Sequence, residues 1–201
     1  MRYIMPAMRV SADIAFKEWA VVVDALGHGE QVLILRKGGI REDRGEFHVD
    51  HQAFWLFPTQ YHEDERSVIA SKRPSLRALA ASAGGDTVDI QFYAVTDSVV
   101  EVADASALGR LQGRHIWAEH VLQQRFEFGR NAGLYAIIVR VYQLPHPERL
   151  PLRKSYGGCK SWVQMEHAVA GEVTPSVDAA DFARQRNEIL ELLSQDACVN
   201  S

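Results

Sequence analysis

The stretch LYAIIVRVYQL, residues 134–144, is apolar and rich in β-branched side chains, with Arg140 as its one charge. A run of this kind between Gly133 and Pro145 is typical of a strand that is buried on both faces. We predict a buried strand here, and the other elements are assigned around it.

Further strands are predicted on both sides of this one. TVDIQFYAV (87–95) and SVVEVA (98–103) predict two, the first with one buried face made of Val88, Ile90, Phe92 and Ala94. WAVVVDAL (19–26) and QVLILRK (31–37) flank the turn GHGE (27–30), which predicts a β-hairpin. FHVDHQAFWLF (47–57), ended by Pro58, predicts one or two strands, and SWVQMEHAV (161–169) predicts the last.

Helical composition appears in four places. Residues 61–83 predict helix, with Pro74 in the first turn of a second one, and 117–126 predict another. Asp104 or Ser106 would cap a short helix that ends at Leu111. After a linker around 171–175, Ser176 or Asp178 would cap an amphipathic C-terminal helix with an apolar stripe of Phe182, Ala183, Ile189, Leu190 and Leu193.

The predicted fold class is α+β, with an antiparallel or mixed sheet of six to seven strands and three to four helices. The expected organisation is a single domain over 1–170, followed by a linker and acidic helix over 171–201. The 201 residues, 47% hydrophobic, exclude collagen-like and wholly disordered classes. Two cysteines and no long apolar N-terminal run favour a cytoplasmic protein without membrane association.

Net charge limits the function classes. Residues 166–201 hold seven acids and two arginines, so the remaining 1–165 carry 20 basic and 19 acidic residues, a net of +1. A protein that coats a long polyanion has a strong basic excess. Any contact with nucleic acid is therefore expected to be local.

Two cationic segments are the candidate phosphate or nucleic-acid contacts. RKGGI and the next residue bring Arg36, Lys37, Gly38, Gly39 and Arg41 to the end of a strand, where glycines allow backbone N–H groups to approach a phosphate. The alternative is a solvated turn. The proline-rich stretch 145–160, predicted to be irregular, mixes glycines with Arg149, Arg153, Lys154, Tyr156 and Lys160. Its alternative is a long solvated connection.

Trp55, in FWLFPT (54–59), is either a core residue or a platform on which a base stacks. His48, His51, His62 and Glu63 form the densest group of metal-ligand residue types, but three of them would have to converge on one point. No metal site is therefore predicted, and no cofactor is identified.

Three segments of the chain, within about Ala15–Val169, together resemble the bacterial family catalogued as domain of unknown function 1802. They are AFKEWAVVVDALGHGEQVLILRKGGIRE, FWLFPTQYHE and YGGCKSWV. The resemblance implies no established activity and no catalytic residue. Some members of that family are associated with an Mrr-type restriction-endonuclease domain, which implies a role in restriction-modification.

The opening hairpin and FWLFPT are also similar to the start of Nudix hydrolases. Those enzymes hold magnesium with Arg-Glu and Glu-Glu pairs on a helix, whereas residues 62–84 here carry acids only at 63–65. This resemblance implies at most a ligand-binding relative that lacks the hydrolase residues.

Three functions remain open at this point. The first is a nucleic-acid- or nucleotide-binding accessory module, linked to DNA restriction-modification. The second is an enzyme that acts on a phosphorylated or nucleotide substrate, with a metal held by the histidine group. The third is a structural or interaction subunit whose C-terminal helix docks on a partner protein.

Overall fold

A computed structural model describes residues 7–37, 50–60, 64–82, 85–129, 131–158 and 160–195. Its strands are β1 Met8–Trp19, β2 Leu33–Arg36, β3 Ala53–Thr59, β4 Thr87–Val102, β5 Leu134–Pro151 and β6 Trp162–Pro175. Its α-helices are α1 Ala20–Gly27, α2 Arg73–Ser82, α3 Ser106–Arg110, α4 Glu119–Glu127 and α5 Ala179–Ser194. None of these helices is long and apolar enough to cross a membrane.

The six strands form one mixed sheet in the order β2-β5-β4-β3-β1-β6. The last strand also pairs with β5, so five strands close into a ring and β2 lies outside it, against β5. The β1–β3 pair is parallel and the other pairs are antiparallel. This confirms the predicted α+β class with a mixed sheet.

Apolar side chains of the ring strands enter two clusters. One draws on the ring strands and on Tyr156, and it includes Trp55, Tyr93 and Met165. The larger cluster combines β2 with the buried faces of all five helices, including Phe182 and Ile189 of α5. Central strands therefore bury both faces, which explains why their sequences are almost continuously apolar.

The predicted opening hairpin is wrong in its first half. Residues 20–27 form α1, preceded by β1, and only β2 is a strand as expected. Because α1 is buried on nearly every side, its sequence has no polar face and therefore no period that separates helix from strand. The Phe92 ring packs directly against Gly27 at the end of α1, where a Cβ would lie only 2.3 Å from a ring carbon.

The two strands predicted over 87–103 are one strand, β4, and its buried face changes partway along. Ile90 pairs with Glu148 but Phe92 pairs with Gln143, so the register shifts at Gln91. Such a bulge turns the following side chains to the other face. Val88 and Ile90 therefore share a cluster with Tyr93, and Phe92 and Ala94 enter the other one.

The same bulge explains why 145–151 is strand and not the irregular segment that its prolines predicted. Residues 144–147, with Pro145 and Pro147, lie opposite Gln91 alone, where no regular ladder bonds are needed. Pairing then resumes through Arg149 to Pro151.

Two other predicted boundaries are also wrong. The predicted linker at 171–175 belongs to β6, where 171–173 pair with the first residues of β1 and 174–175 pair with β5. Pro58 does not end β3, which continues to Thr59 beside β1. In both places pairing with β1 extends the strand, which local sequence does not show.

The helix predicted over 61–83 is only partly correct, because its described residues before Arg73 form two short 3-10 turns, Glu65–Ser67 and Ala70–Lys72, rather than an α-helix. The remaining helix boundaries are closer to prediction. Pro74 lies in the first turn of α2, and the Asp104 carboxylate accepts a hydrogen bond from the Ser106 N–H before α3. Asp178 caps α5 by accepting from the Asp181 N–H at 2.8 Å. The apolar stripe of α5 buries Phe182 and Ile189 in the core, so these side chains are not free to dock on a partner.

Candidate functional site

Arg36, the last residue of β2, reaches across to the ends of two other strands. Its Nη2 donates a 2.6 Å hydrogen bond to Ser161 Oγ, just before β6. Its Nη1 lies 3.6 Å from Glu18 Oε2, and its guanidinium carbon is 4.8 Å from the centre of the Phe16 ring. Arg36 therefore connects the end of β2 with β1 and with the segment before β6.

Glu18 is a charged side chain inside the protein, 3% exposed near the end of β1. Its Oε1 accepts a 2.9 Å hydrogen bond from the Trp19 N–H. Its Oε2 accepts no hydrogen bond from any described residue and depends on the Arg36 ion pair. A buried carboxylate needs such a cation nearby, because isolated burial of its charge is costly.

Arg125, on α4, is the third charge in this region. Its guanidinium carbon lies 3.8 Å from the centre of the Trp117 ring and 5.9 Å from that of Trp19. Burial lowers the pKa of Arg125, nearby Glu18 favours its charged form, and nearby Arg36 opposes it. We call Glu18, Arg36 and Arg125 the arginine cluster.

The Arg125 guanidinium donates no hydrogen bond to any residue within the described ranges, although it has five N–H donors. The Trp117 ring thus holds the guanidinium in place without using any of its N–H donors. A planar guanidinium with free donors matches the oxygens of a phosphate or carboxylate.

The end of the second cationic segment lies beside β1, next to the serine that Arg36 contacts. The Lys17 N–H donates to the Ser161 carbonyl at 2.8 Å, and Lys17 Nζ donates to the Gly158 carbonyl at 3.1 Å. Exposed Lys160 lies between those two acceptors, adjacent in sequence to the serine that Arg36 contacts. Gly38, Gly39 and Arg41 lie outside the described residues.

Lys37 has a different role from the predicted phosphate contact. Its ammonium donates to the carbonyls of Phe126, Asn131 and Gly133 at 2.5–2.9 Å. An ammonium has three donors, so all of them are used. Lys37 fastens the loop after α4, and a phosphate would have to displace one of these carbonyls.

Arg149 and Arg153 point to acids on neighbouring strands. Arg149 makes a two-bond pair with Asp89, at 2.7 and 2.9 Å, and this pair holds the pKa of Asp89 below its ordinary value. Arg153 donates to Glu166 at 3.1 Å. Lys154 is exposed in the short turn between them and β6.

Two predicted aromatic contacts are corrected because their side chains are buried. Trp55 is 0% exposed, and its Nε1 donates to the Ala12 carbonyl. Tyr156 is buried against Phe57, and its hydroxyl accepts from the Glu166 N–H. Neither ring has a face available for a base, so both belong to the core.

The histidine group is only partly described. The ring of His51 packs edge-on against Trp162, with 5.0 Å between ring centres. His48, His62 and Glu63 lie outside the described residues. Elsewhere in the described chain, no three histidine, cysteine or acidic side chains converge on a point that would hold a metal.

His115 is a buried polar residue that the sequence did not indicate. It is 6% exposed, and neither ring nitrogen has a hydrogen-bond partner in the described chain. Burial lowers the pKa of His115 to about 4, and the Trp117 backbone offsets part of that shift. With Trp117 it forms the floor of a cleft of about 300 Å³, rimmed by Ile69, Gln112, Gly113 and Glu119.

Over residues 15–188 the chain matches the family described as "Domain of unknown function (DUF1802)". The chain belongs to this family. The match begins within β1, at residue 15, and continues through β2–β6 into α5, so the arginine cluster lies within the family's domain. The predicted similarity to Nudix hydrolases is not shown, and the opening hairpin on which it depended is absent.

No curated protein matches the chain in sequence. Among solved structures, the crystal structure of ASCH from Zymomonas mobilis has a TM-score of 0.45 and 10% identity, and covers 89% of this chain and 94% of that one. A mutant form of the same protein has a TM-score of 0.43 and 12% identity, with 87% and 96% covered. No function follows from similarity at this level.

Proposed function

We propose that this DUF1802 protein is a nucleic-acid- or nucleotide-binding accessory module whose phosphate contacts are Arg125, Arg36 and Lys160. The observation that carries the proposal is the Arg125 guanidinium, stacked on Trp117 at 3.8 Å with no acceptor among the described residues. An arginine positioned over an aromatic ring with its N–H donors unused is prepared for an oxyanion before the ligand arrives.

The charges around Arg125 support an anionic ligand. The cluster contains two positive charges, on Arg36 and Arg125, and one negative charge, on Glu18, and exposed Lys160 adds a further positive charge. Glu18 keeps the two arginines close together although they repel each other. The cluster therefore has a net positive charge within a body that is nearly neutral.

The proposal predicts a modest dependence on salt, because the cationic surface is small. Three phosphate contacts correspond to a loss of affinity of about 20- to 40-fold between 50 and 200 mM salt, the lower value for single strands. A protein that coats DNA through many contacts would lose far more.

Fluorescence anisotropy of the purified protein with labelled duplex DNA, single-stranded DNA and RNA at these two salt concentrations tests the proposal. Arg125→Gln should weaken binding about tenfold at 50 mM salt and reduce the salt dependence by about one contact. Arg184→Gln is the matched control, because its partners Asp181 and Glu188 both lie on α5.

Absence of binding at 50 mM salt would overturn the proposal. Equal affinity of the Arg125→Gln and wild-type proteins would show that the arginine cluster is not the binding site. Circular dichroism and thermal melting of each variant check that the fold is retained.

The narrower predictions depend on which ligand binds. A role in DNA restriction-modification rests on the family resemblance and requires duplex DNA to be bound. The alternative of a metal-dependent enzyme stays a prediction about the histidine group, of which only His51 is described. Metal content well below one equivalent in untagged protein would argue against it.

A further inference from the structure

Phe128 is the most exposed large hydrophobic side chain in the described part of the chain, at 74%. The next most exposed, Leu152, Val99, Ile69 and Met8, range from 37% to 44%. Phe128 directly follows α4, whose last residue is Glu127. An aromatic ring that is so exposed contributes little to the free energy of folding, because little of its apolar surface is removed from water.

Hydrogen bonds hold the described residues on both sides of Phe128. The three bonds from Lys37 join this loop to the end of β2, and the Gly133 N–H donates to the Phe126 carbonyl at 3.0 Å. Gly129, with φ of 88°, makes the turn after Phe128 in a conformation that suits glycine. The Lys37 charge also lies at the carbonyl end of α4, where a cation is favourable.

This loop lies beside the arginine cluster. Phe128 is three residues after Arg125, and a Cβ on Gly129 would lie 4.0 Å from Lys37 Cε. Lys37 is adjacent in sequence to Arg36. Phe128 and Arg125 thus both stand at the C-terminal end of α4.

We propose that Phe128 stacks on an unpaired base of a single-stranded nucleic acid whose phosphate is bound by Arg125. The inference rests on the proposed function and narrows its ligand to single strands. Bases of a duplex are stacked on each other, so an exposed ring finds a free base face only on a single strand or a splayed nucleotide. The ring accepts any base, since all have a π face.

Fluorescence anisotropy with labelled oligo-dT and with a duplex of the same length, at 50 mM salt, tests the inference. We expect Phe128→Ala and Phe128→Leu to weaken binding to oligo-dT by about 5- to 150-fold, because both remove the aromatic face. Phe128→Trp should bind at least as tightly as wild type. Leu152→Ala, which removes another exposed apolar side chain, should have no effect.

The outcomes separate this inference from the proposed function. If the wild-type protein binds and depends on Arg125, but Phe128→Ala and Phe128→Leu bind equally well, the stacking inference is wrong and the proposed function stands. If the wild-type protein binds neither probe, both are wrong. A Phe128→Ala protein that binds oligo-dT normally but changes from dimer to monomer on gel filtration would show that the ring contacts a second copy instead.

Discussion

Arg149 and Arg153 contrast with Arg36 and Arg125, although all four carry the same charge. The first two are exposed and paired with Asp89 and Glu166. The second two gather around one buried acid, and Arg125 donates no hydrogen bond to the described chain.

This difference shows that a cationic residue in the sequence is available to a ligand only where the fold does not pair it with an acidic side chain. Asp89 faces Arg149 because the β4–β5 register places them opposite each other, far apart in sequence. The opposite charges of such a pair largely cancel, so little positive electrostatic potential is left to attract an anionic ligand. Burial near Glu18 instead concentrates the two arginines in one place and leaves donors unused.

The largest expected effect is on stability, from Arg36→Met. Without Arg36, the 3%-exposed Glu18 loses its ion-pair partner, and removing one partner of a buried pair costs about 3–5 kcal/mol. The midpoint of urea unfolding, converted with the wild-type slope, measures this loss. A loss below 1 kcal/mol would show that Glu18 tolerates burial without Arg36, and would remove the contrast between the two regions.

The next largest effect comes from acid, at His115 behind Trp117. Its folded pKa of about 4 lies below the ordinary 6.5, so the unfolded chain binds a proton that the native protein does not, and stability falls as pH falls through this window. We expect a loss of about 2 kcal/mol between pH 7.5 and pH 5. Urea unfolding at the two pH values measures it.

His115→Phe keeps the ring volume without the titration. The pH dependence of this variant should be smaller than that of wild type by the same amount. An unchanged dependence would assign the acid sensitivity to other groups.

A smaller effect is expected on ligand affinity, from neutralising cations in the two halves of the basic segment. Lys160→Gln should weaken nucleic-acid binding about tenfold at 50 mM salt, because one phosphate contact is lost. Arg153→Gln should change it less than threefold, since Arg153 is already paired with Glu166. Anisotropy titrations compare the two, and the opposite order would favour Arg153 over Lys160 as the contact.

The smallest effect is expected from Arg149→Met. An exposed ion pair contributes about 0–1 kcal/mol, and solvent screens it. The free energy of unfolding should therefore hardly change. A loss as large as that of Arg36→Met would mean that the β4–β5 pair matters as much as the arginine cluster.

Much of the fold could be predicted because local pattern and tertiary position agree there. The helical stripe and the cap at Asp178 both indicate α5, and the β-branched run at 134–144 indicates the strand that lies between β2 and β4. Prediction failed where burial is complete or where a bulge intervenes. The run 20–27 shows no polar face, and the register shift at Gln91 is a property of two strands together.

The candidate site could be predicted only in part. Arg36 was identified because it stands where a strand meets a glycine-bearing loop. Arg125 was not, because the helical period of α4 marks only the inward Leu122 and Phe126. The stacking partners of Arg125, Trp19 and Trp117, lie far apart in sequence, so no local signal joins them.

The pairing of β1 with β6 has a consequence for synthesis of the protein. Residues 8–12 pair only with β6 among the described strands, so this stretch has no neighbour until about residue 173 has been made. At ordinary translation rates of about 5–20 residues per second, the wait is roughly 8 to 30 s. During that time residues 8–12 have no strand partner, so chaperones at the ribosome could bind this stretch.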